Sequence, residues 1–381
     1  MEHVQCIVVG AGVVGLAVAR RLAMAGHEVL ILEAENAIGT GVSSRNSCVI
    51  HAGIYYQRDS VKARVCVAGK QALYDFCASH GVHHQRIGKL IVASEHSQLP
   101  ALAAIRAKAA ANGVDDLVPV DQAQANALEP AVRCVGGLFS PSTGIVDVHD
   151  FMLALLGDAE AHGAMLALAT RISGGAVGGD RIVIEAGEGE EFRVSCNLLV
   201  NCAALGAQGV ARSLRGLDPA SIPALHYAKG NYFSLAARSP FSHLIYPMPD
   251  GAWLGVHATL DLGGRCRFGP DIHWVQSLDY DVDQRELNAF YDSIRRWWPE
   301  LPDGALQPDY TGIRPKLYAR GEPAADFMIQ GAGRHGVPGL INLYGIESPG
   351  LTSALAIADE VLALAHRPAA LPRPAAVPAG R

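Results

Sequence analysis

Near the N-terminus stands the stretch Cys6-Ile-Val-Val-Gly-Ala-Gly-Val-Val-Gly15. Ile7, Val8 and Val9 are the composition of a buried strand. Gly10, Gly12 and Gly15 follow at GxGxxG spacing, with Val13 and Val14 between them. Gly10 permits a tight turn, Gly12 lets backbone approach a pyrophosphate, and Gly15 lets a helix pack close to the strand. The pattern predicts a helix over 16–24 and a second strand over 29–32. Glu33, followed by Ala34, then offers a carboxylate to a ribose hydroxyl. An acid here favours an unphosphorylated adenosine ribose, hence FAD or NAD rather than NADP. A signal peptide is the bland alternative. It is disfavoured by the missing basic n-region, the three glycines and a length too short to span a bilayer.

The chain has 381 residues, a formal charge of −6 and a pI near 6.2. That length suits two domains, and that charge argues against nucleic acid as a partner. Eight cysteines are scattered without CxxC or Cys/His clusters, so no metal site is expected. No stretch reaches membrane-spanning length. The expected location is cytoplasmic, with at most a peripheral place at the inner membrane face. The Pro- and Ala-rich tail 367–381 is expected to be disordered.

Periodicity predicts helices over 60–80, 99–112, 121–128, 147–162, 283–298 and 351–366, with another starting at 208. Strands are expected over 89–93, 164–171, 181–185, 192–195, 198–202 and 340–344, and one over 312–316 broken at Pro315. The pair 181–185 and 192–195 reads as a hairpin around the acidic turn 187–191. Residues 39–56 read as an ordered Gly/Ser loop. From 228 to 270, short strands with frequent Gly, Pro and aromatics suggest an antiparallel sheet. Trp297 and Trp298 read as domain packing, and Arg295 and Arg296 as a solvated helix face.

Several separated motifs then agree: GAGVVG at 10–15, SSRNS at 43–47, VIHAGIYY at 49–56, SPSTGIVD at 140–147, YPMP at 246–249, GIRPKL at 312–317 and LYGIESPGLTSALAIA at 343–358. On these the chain resembles the FAD-dependent D-amino-acid-oxidase-like superfamily, and within it the L-2-hydroxyglutarate dehydrogenase/oxidase group. Arg45 stands where many members have His, and Cys48 where Gly or an acid is usual. The resemblance implies an α/β, two-domain fold. A Rossmann-like FAD domain would comprise 1–83, 143–217 and 320–366. A mixed or antiparallel-sheet substrate domain would comprise 84–142 and 218–319.

The resemblance also implies roles. Ser44, Arg45, Asn46, Ser47 and Val49 would line the flavin and pyrophosphate. Arg171, Ile172, Ala203, Ala204 and Gly206 would lie near the adenosine. Gly345, Glu347, Ser348, Gly350, Leu351 and Thr352 would bring the last helix N-terminus to the flavin pyrimidine. His51 is the candidate for removing a hydroxyl proton while hydride leaves C2 for flavin N5, because imidazole titrates near neutrality. Arg314 can grip a carboxylate through two parallel bonds. Lys229 and Tyr246 are candidates for a second carboxylate or the hydroxyl, with Tyr56 and Ser348 nearby and His257 as the reserve base. The expected reaction is oxidation of an L-2-hydroxy acid, best L-2-hydroxyglutarate to 2-oxoglutarate. The alternatives are an amine or amino-acid oxidase and a flavin-binding sensor without turnover. The electron acceptor could be oxygen, a quinone or another flavoprotein.

Overall fold

The structure is a computed structural model and describes residues 1–187, 192–249 and 255–366. Most of the acidic turn at 187–191 and the whole tail 367–381 lie outside the described residues. The N-terminal apolar run forms the strand Glu2–Val9. It pairs in parallel with Val29–Leu32 on one side and with Phe192–Asn201 on the other. Its two faces enter different cores. Cys6 and Val8 pack beneath helices, while Ile7 and Val9 join Ile184, Leu199 and Ala211. Burial on both faces is why the run shows no polar alternation.

Around this strand the sheet runs Leu214–Arg215, Ile172–Ala176, Ile182–Ala186, Phe192–Asn201, Glu2–Val9, Val29–Leu32, Met165–Ala167. Leu340–Tyr344 pairs in parallel with the C-terminal part of Phe192–Asn201 and carries Met328–Gln330. The helix Val13–Met24 lies against Val148–Ala161 and Gly350–Ala365, and the latter also packs on Val61–His80. The helix expected over 60–80 is Val61–His80. The Ser60 hydroxyl accepts from the Ala63 amide, and Gly81 closes it at φ 68°.

A second sheet runs His273–Val275, His226–Leu235, Cys266–Phe268, Ala258–Leu260, Leu244–Pro247, Lys89–Ala93, Gly136–Ser140, Val118–Asp121, with Leu306–Lys316 added to His226–Leu235. Trp297 and Trp298 are buried in its core beside Phe241 and Phe268. Arg295 donates to the Leu301 carbonyl and pairs with Asp303. Side chains alternate along a strand, so register fixes which residues share a face. Carried from Lys89 through the Ile91–Tyr246, Thr259–Arg267 and Arg267–Ser234 pairs, it sets Lys89, Tyr246, His257 and Tyr232 on one face. Ala228 and its partner Arg314 share that face. Lys229, one residue on, faces the other way.

Several elements differ from expectation: the strands expected over 192–195 and 198–202 are one strand, Phe192–Asn201, and the loop expected over 39–56 contains the short strand Val49–Ile50. The strand Leu306–Lys316 continues through Pro315, which sits opposite Tyr227. Among the described residues His226–Leu235 is its only strand neighbour, and an edge strand tolerates a missing donor. The strand expected over 164–171 stops at Ala167, because Ala169 turns back at φ 48° and Ala169 and Thr170 donate to the Glu35 and Glu33 carbonyls. A separate strand, Ile172–Ala176, follows. The helix expected over 283–298 is regular only over Leu287–Arg295, after a 3-10 turn Gln284–Glu286 capped by Asp283. Among the described residues no helix is long and apolar enough to cross a membrane.

Candidate active site

The glycine unit makes a cradle of backbone. Gly10 turns at φ 95°, and a Cβ there would come within 2.9 Å of the Cys202 carbonyl. A Cβ on Gly15 would collide with the Gly10 carbonyl oxygen, so helix and strand can approach this closely only without one. A Cβ on Gly12 would meet the Ser43 hydroxyl at 3.0 Å. That hydroxyl accepts from the Val13 amide at 3.0 Å, which ties the loop 43–47 to the helix start. Glu33 Oε2 accepts from the Ala11 amide at 2.6 Å and Oε1 from the Glu35 amide. Its carboxylate is thereby fixed beside the glycine turn. Arg171 pairs with Glu35 at 3.0 Å, next to Ile172. The turn Ala203, Ala204, Gly206 follows the strand Phe192–Asn201, with Ala204 at φ 49° and the Gly206 amide bonded to the Ala203 carbonyl. A small-residue cradle with an oriented acid at its end fits an adenine dinucleotide.

The loop after Ser43 crosses to the second sheet. Asn46 Nδ2 donates to the Ser43 carbonyl and Asn46 Oδ1 accepts from the Cys48 amide. The Ser47 hydroxyl lies 3.3 Å from that of Tyr232, and the Tyr310 hydroxyl donates to the Asn46 carbonyl at 2.6 Å. Ser44 instead donates into its own turn, to the Thr40 and Gly41 carbonyls. Arg45 donates to the Thr311 carbonyl and lies over the Tyr280 ring at 4.3 Å, so its charge is held by the second sheet. Cys48 adopts φ 57°, a conformation glycine reaches at lowest cost. Burial pushes its thiol up to about 11, which keeps it protonated and unreactive at neutral pH. An open cleft of about 700 Å³ runs beside this loop, past Ser44, Cys48 and Met152, away from the residues with proton and carboxylate chemistry.

Those residues gather where the loop meets the last helix. Val49 and Ile50 form a short strand paired with Gly144–Val146. His51 follows. Its amide donates to the Thr352 hydroxyl at 2.9 Å, and its Nε2 lies 3.1 Å from the Ser348 hydroxyl. Burial, then the charges of Lys89 and His257, push the imidazole down to about 3. His51 is therefore neutral at physiological pH, and the same causes make it a weak base until a substrate's negative charge lies beside it. Burial pushes the Tyr56 hydroxyl well above its usual range, although it also bonds Ser348. Tyr246 stacks on His257 with centroids 3.7 Å apart.

Arg314 donates through Nη2 to the Asp271 carbonyl at 2.7 Å and through Nε to the Ala228 carbonyl at 3.3 Å. Among the described residues no carboxylate pairs with it. Asp271 is itself pinned, accepting from the Asn231 amide and side chain and from His273. Together with Glu286 these make the one group among the described residues spaced for a cation, and its central acid is already saturated. Glu347 is taken up elsewhere. Burial raises its carboxyl, but Lys316 at 2.6 Å and Lys62 at 3.2 Å more than offset this and hold it ionised. Gly350 starts the helix Gly350–Ala365, with Leu351 in its first turn. Gly345 turns at φ 67° against Leu317. Lys229, on the other face of the sheet, pairs with Asp279 at 2.7 Å and does not join this group.

One residue absent from the sequence expectations does join it. Lys89 is 1% exposed, and its Nζ lies 4.8 Å from the Tyr55 ring and 4.6 Å from the Tyr246 ring. Its only sequence signal is a charge heading the apolar run Lys-Leu-Ile-Val-Ala after Gly88.

A nucleotide cradle, a polar loop that ends in a histidine bonded to the last helix, and a second sheet whose arginine pairs with no carboxylate among the described residues define a flavoprotein oxidoreductase. The chain belongs to the FAD dependent oxidoreductase family, whose profile matches residues 5–364. It is similar to the L-2-hydroxyglutarate dehydrogenase, mitochondrial, of Arabidopsis thaliana, with 43% identity over 94% of this chain and 83% of that one. The L-2-hydroxyglutarate dehydrogenase of Escherichia coli K12 is 32% identical over 93% and 92% of the two chains. In fold it matches a dithionite-reduced L-α-glycerophosphate oxidase from Mycoplasma pneumoniae with FAD bound, at TM-score 0.85 and 22% identity over 98% and 97%. Glycine oxidase from Geobacillus kaustophilus follows at TM-score 0.80 and 18% identity over 97% of each chain.

Proposed function

We propose that this chain oxidises an L-2-hydroxy dicarboxylate, L-2-hydroxyglutarate, to the 2-oxo acid. The observation that carries the reading is a neutral His51, bonded to Ser348, in a site where no carboxylate among the described residues pairs with Arg314. Support also comes from relatives that bear the name of this reaction along nearly the whole chain. In this reading Gly10, Gly12, Gly15, Glu33, Ser43, the turn 203–206 and the helix start at Gly350 hold FAD. The segments 1–83, 143–217 and 320–366 form its domain, as the strand order of the first sheet suggests. Bound FAD supplies a two-electron acceptor for the hydrogen on C2.

The chain's own residues do the rest. Arg314 fixes the C1 carboxylate through a guanidinium that two backbone carbonyls already aim. In the tautomer protonated at Nδ1, Nε2 carries the lone pair that accepts from Ser348, and the substrate hydroxyl gives its proton to that lone pair by displacing the Ser348 hydroxyl from it. Tyr56, also bonded to Ser348, keeps its own proton. Thr352 anchors the His51 backbone to the last helix.

Anaerobic mixing tests the reading. L-2-hydroxyglutarate should bleach the flavin, with glycine, D-alanine and glycerol 3-phosphate far slower. An amino acid that bleaches it faster would replace the hydroxy acid by an amine substrate. The acceptor that reoxidises the flavin, oxygen or quinone or flavoprotein, is found by the same experiment run in reverse.

A further inference from the structure

We propose that Lys89 receives the distal carboxylate of the dicarboxylate substrate, in a subsite walled by Tyr55 and Tyr246. The inference rests on the hydroxy-dicarboxylate reading above and assigns what that reading leaves open: how the second negative charge is recognised.

The argument begins with what the fold buries. Lys89 sits in an interior strand, between Leu244–Pro247 and Gly136–Ser140, and is 1% exposed. Among the described residues its ammonium has no hydrogen bond and no carboxylate. Two aromatic faces hold it instead. Ring faces attract a cation, but they offset only part of the cost of taking it out of water. A buried lysine with a structural task looks different in this same protein. Lys316, 7% exposed, is matched by Glu347 at 2.6 Å. Lys229 is matched by Asp279. Lys89 is the buried lysine left unmatched among the described residues, and an anion supplied from outside would match it.

Its position says which anion. Lys89 shares its sheet face with Tyr246, His257 and Arg314, and its charge is felt by His51. It therefore borders the site where the hydroxyl carbon reacts. Arg314 lies on the same face with four strands between its own and that of Lys89, so it is through the neighbourhood of His51 that Lys89 borders the substrate. Tyr55 is 36% exposed, so protein does not close off its ring on every side. Phenol rings and an ammonium make a wall suited to a methylene chain ending in a carboxylate.

The test uses the FAD-loaded enzyme and two probes, glutarate and pentanoate, which differ in one carboxylate. Each is titrated while the flavin absorption is followed. Wild type should bind glutarate at least about 30-fold more tightly, the lower end of the effect of leaving one of two buried charges unpaired. Lys89→Met should collapse that preference, and with it the ratio of specificity constants for L-2-hydroxyglutarate over L-2-hydroxypentanoate. Lys89→Arg should keep part of it. Equal binding of the two probes by wild type overturns the subsite. So does a Lys89→Met enzyme that keeps the ratio, or one that loses both substrates alike. If Lys89→Met yields no holoenzyme, Lys89→Gln and Lys89→Arg decide by the same ratio. A wild type that prefers glutarate but is not reduced by L-2-hydroxyglutarate keeps the subsite and sinks the substrate. A wild type reduced by L-2-hydroxyglutarate with no preference for glutarate does the opposite.

Discussion

The two ends of the site are built from different material. The nucleotide end is backbone: three glycines, a helix start and a turn of small residues, with Glu33 the main side chain. The substrate end is side chains: His51, Lys89, Tyr246, His257, Arg314 and Ser348, drawn from strands and turns distant in sequence. Backbone geometry demands particular residues at fixed spacing, so the first end is rigid in sequence and intolerant of any added atom. Side-chain chemistry demands only that groups meet, so the second end should lose function residue by residue while the fold survives.

The largest expected effect lies in the cradle. Gly15→Val should give protein without bound flavin, because its Cβ would collide with the Gly10 carbonyl. Visible absorption of the purified protein reads this directly. A yellow Gly15→Val protein would break the contrast between the two ends. At the substrate end, His51→Ala should keep its flavin and slow anaerobic flavin reduction by about 100- to 10,000-fold, the usual range for a positioned base. Reduction at the wild-type rate would move the base to His257. Arg314→Ala should lower kcat/KM by about 30- to several-thousand-fold. Arg314→Lys should restore only part, because an ammonium cannot make the paired bonds.

A smaller effect depends on pH. Burial pushes the Lys89 ammonium down to about 7, with Cys66 acting in the other direction. The cation is present below that pH and lost above it, so kcat/KM for the dicarboxylate should fall as pH rises through about 7. The groups facing Lys89 are Tyr55, Tyr246, Cys66, His51 and His257. Burial keeps the two tyrosines protonated far above this range and pushes Cys66 up to about 12, while His51 is neutral above about 3. A profile flat from pH 6 to 9 would show that Lys89 does not titrate there. The smallest effect is Ser348→Ala. Losing one neutral hydrogen bond to His51 should cost about 0.5–1.5 kcal/mol, a loss of roughly 2- to 12-fold in flavin reduction. A loss as large as that of His51→Ala would make the hydroxyl part of the chemistry.

The same contrast explains what could be read from sequence. The glycine unit, Glu33 and the framed helix Val61–His80 are local patterns, and the structure places them as expected. His51 stood out because it lies in the Gly/Ser loop 39–56, inside the motif VIHAGIYY that carries the resemblance. Lys89 did not, because its meaning lies in Tyr55, Tyr246 and His257, which no spacing along the chain connects to it. Lys229 stood out for the wrong reason. It is one residue from the strand position opposite Arg314, and in a strand one residue is the difference between two faces. Pro315 misled in the same way, since only the sheet order shows that its strand lies at an edge.

The hydrogen bonds from His51 to Ser348 and Thr352 also set a timetable. The ring is synthesised 297 residues ahead of Ser348, and its two partners belong to a strand-and-helix unit that arrives much later. Until Leu340–Tyr344 has docked on Phe192–Asn201 and delivered that turn, the imidazole has neither its hydroxyl partner nor its backbone anchor. Nascent and partly folded chains would thus carry an unset base, and proton removal would begin only once folding is complete.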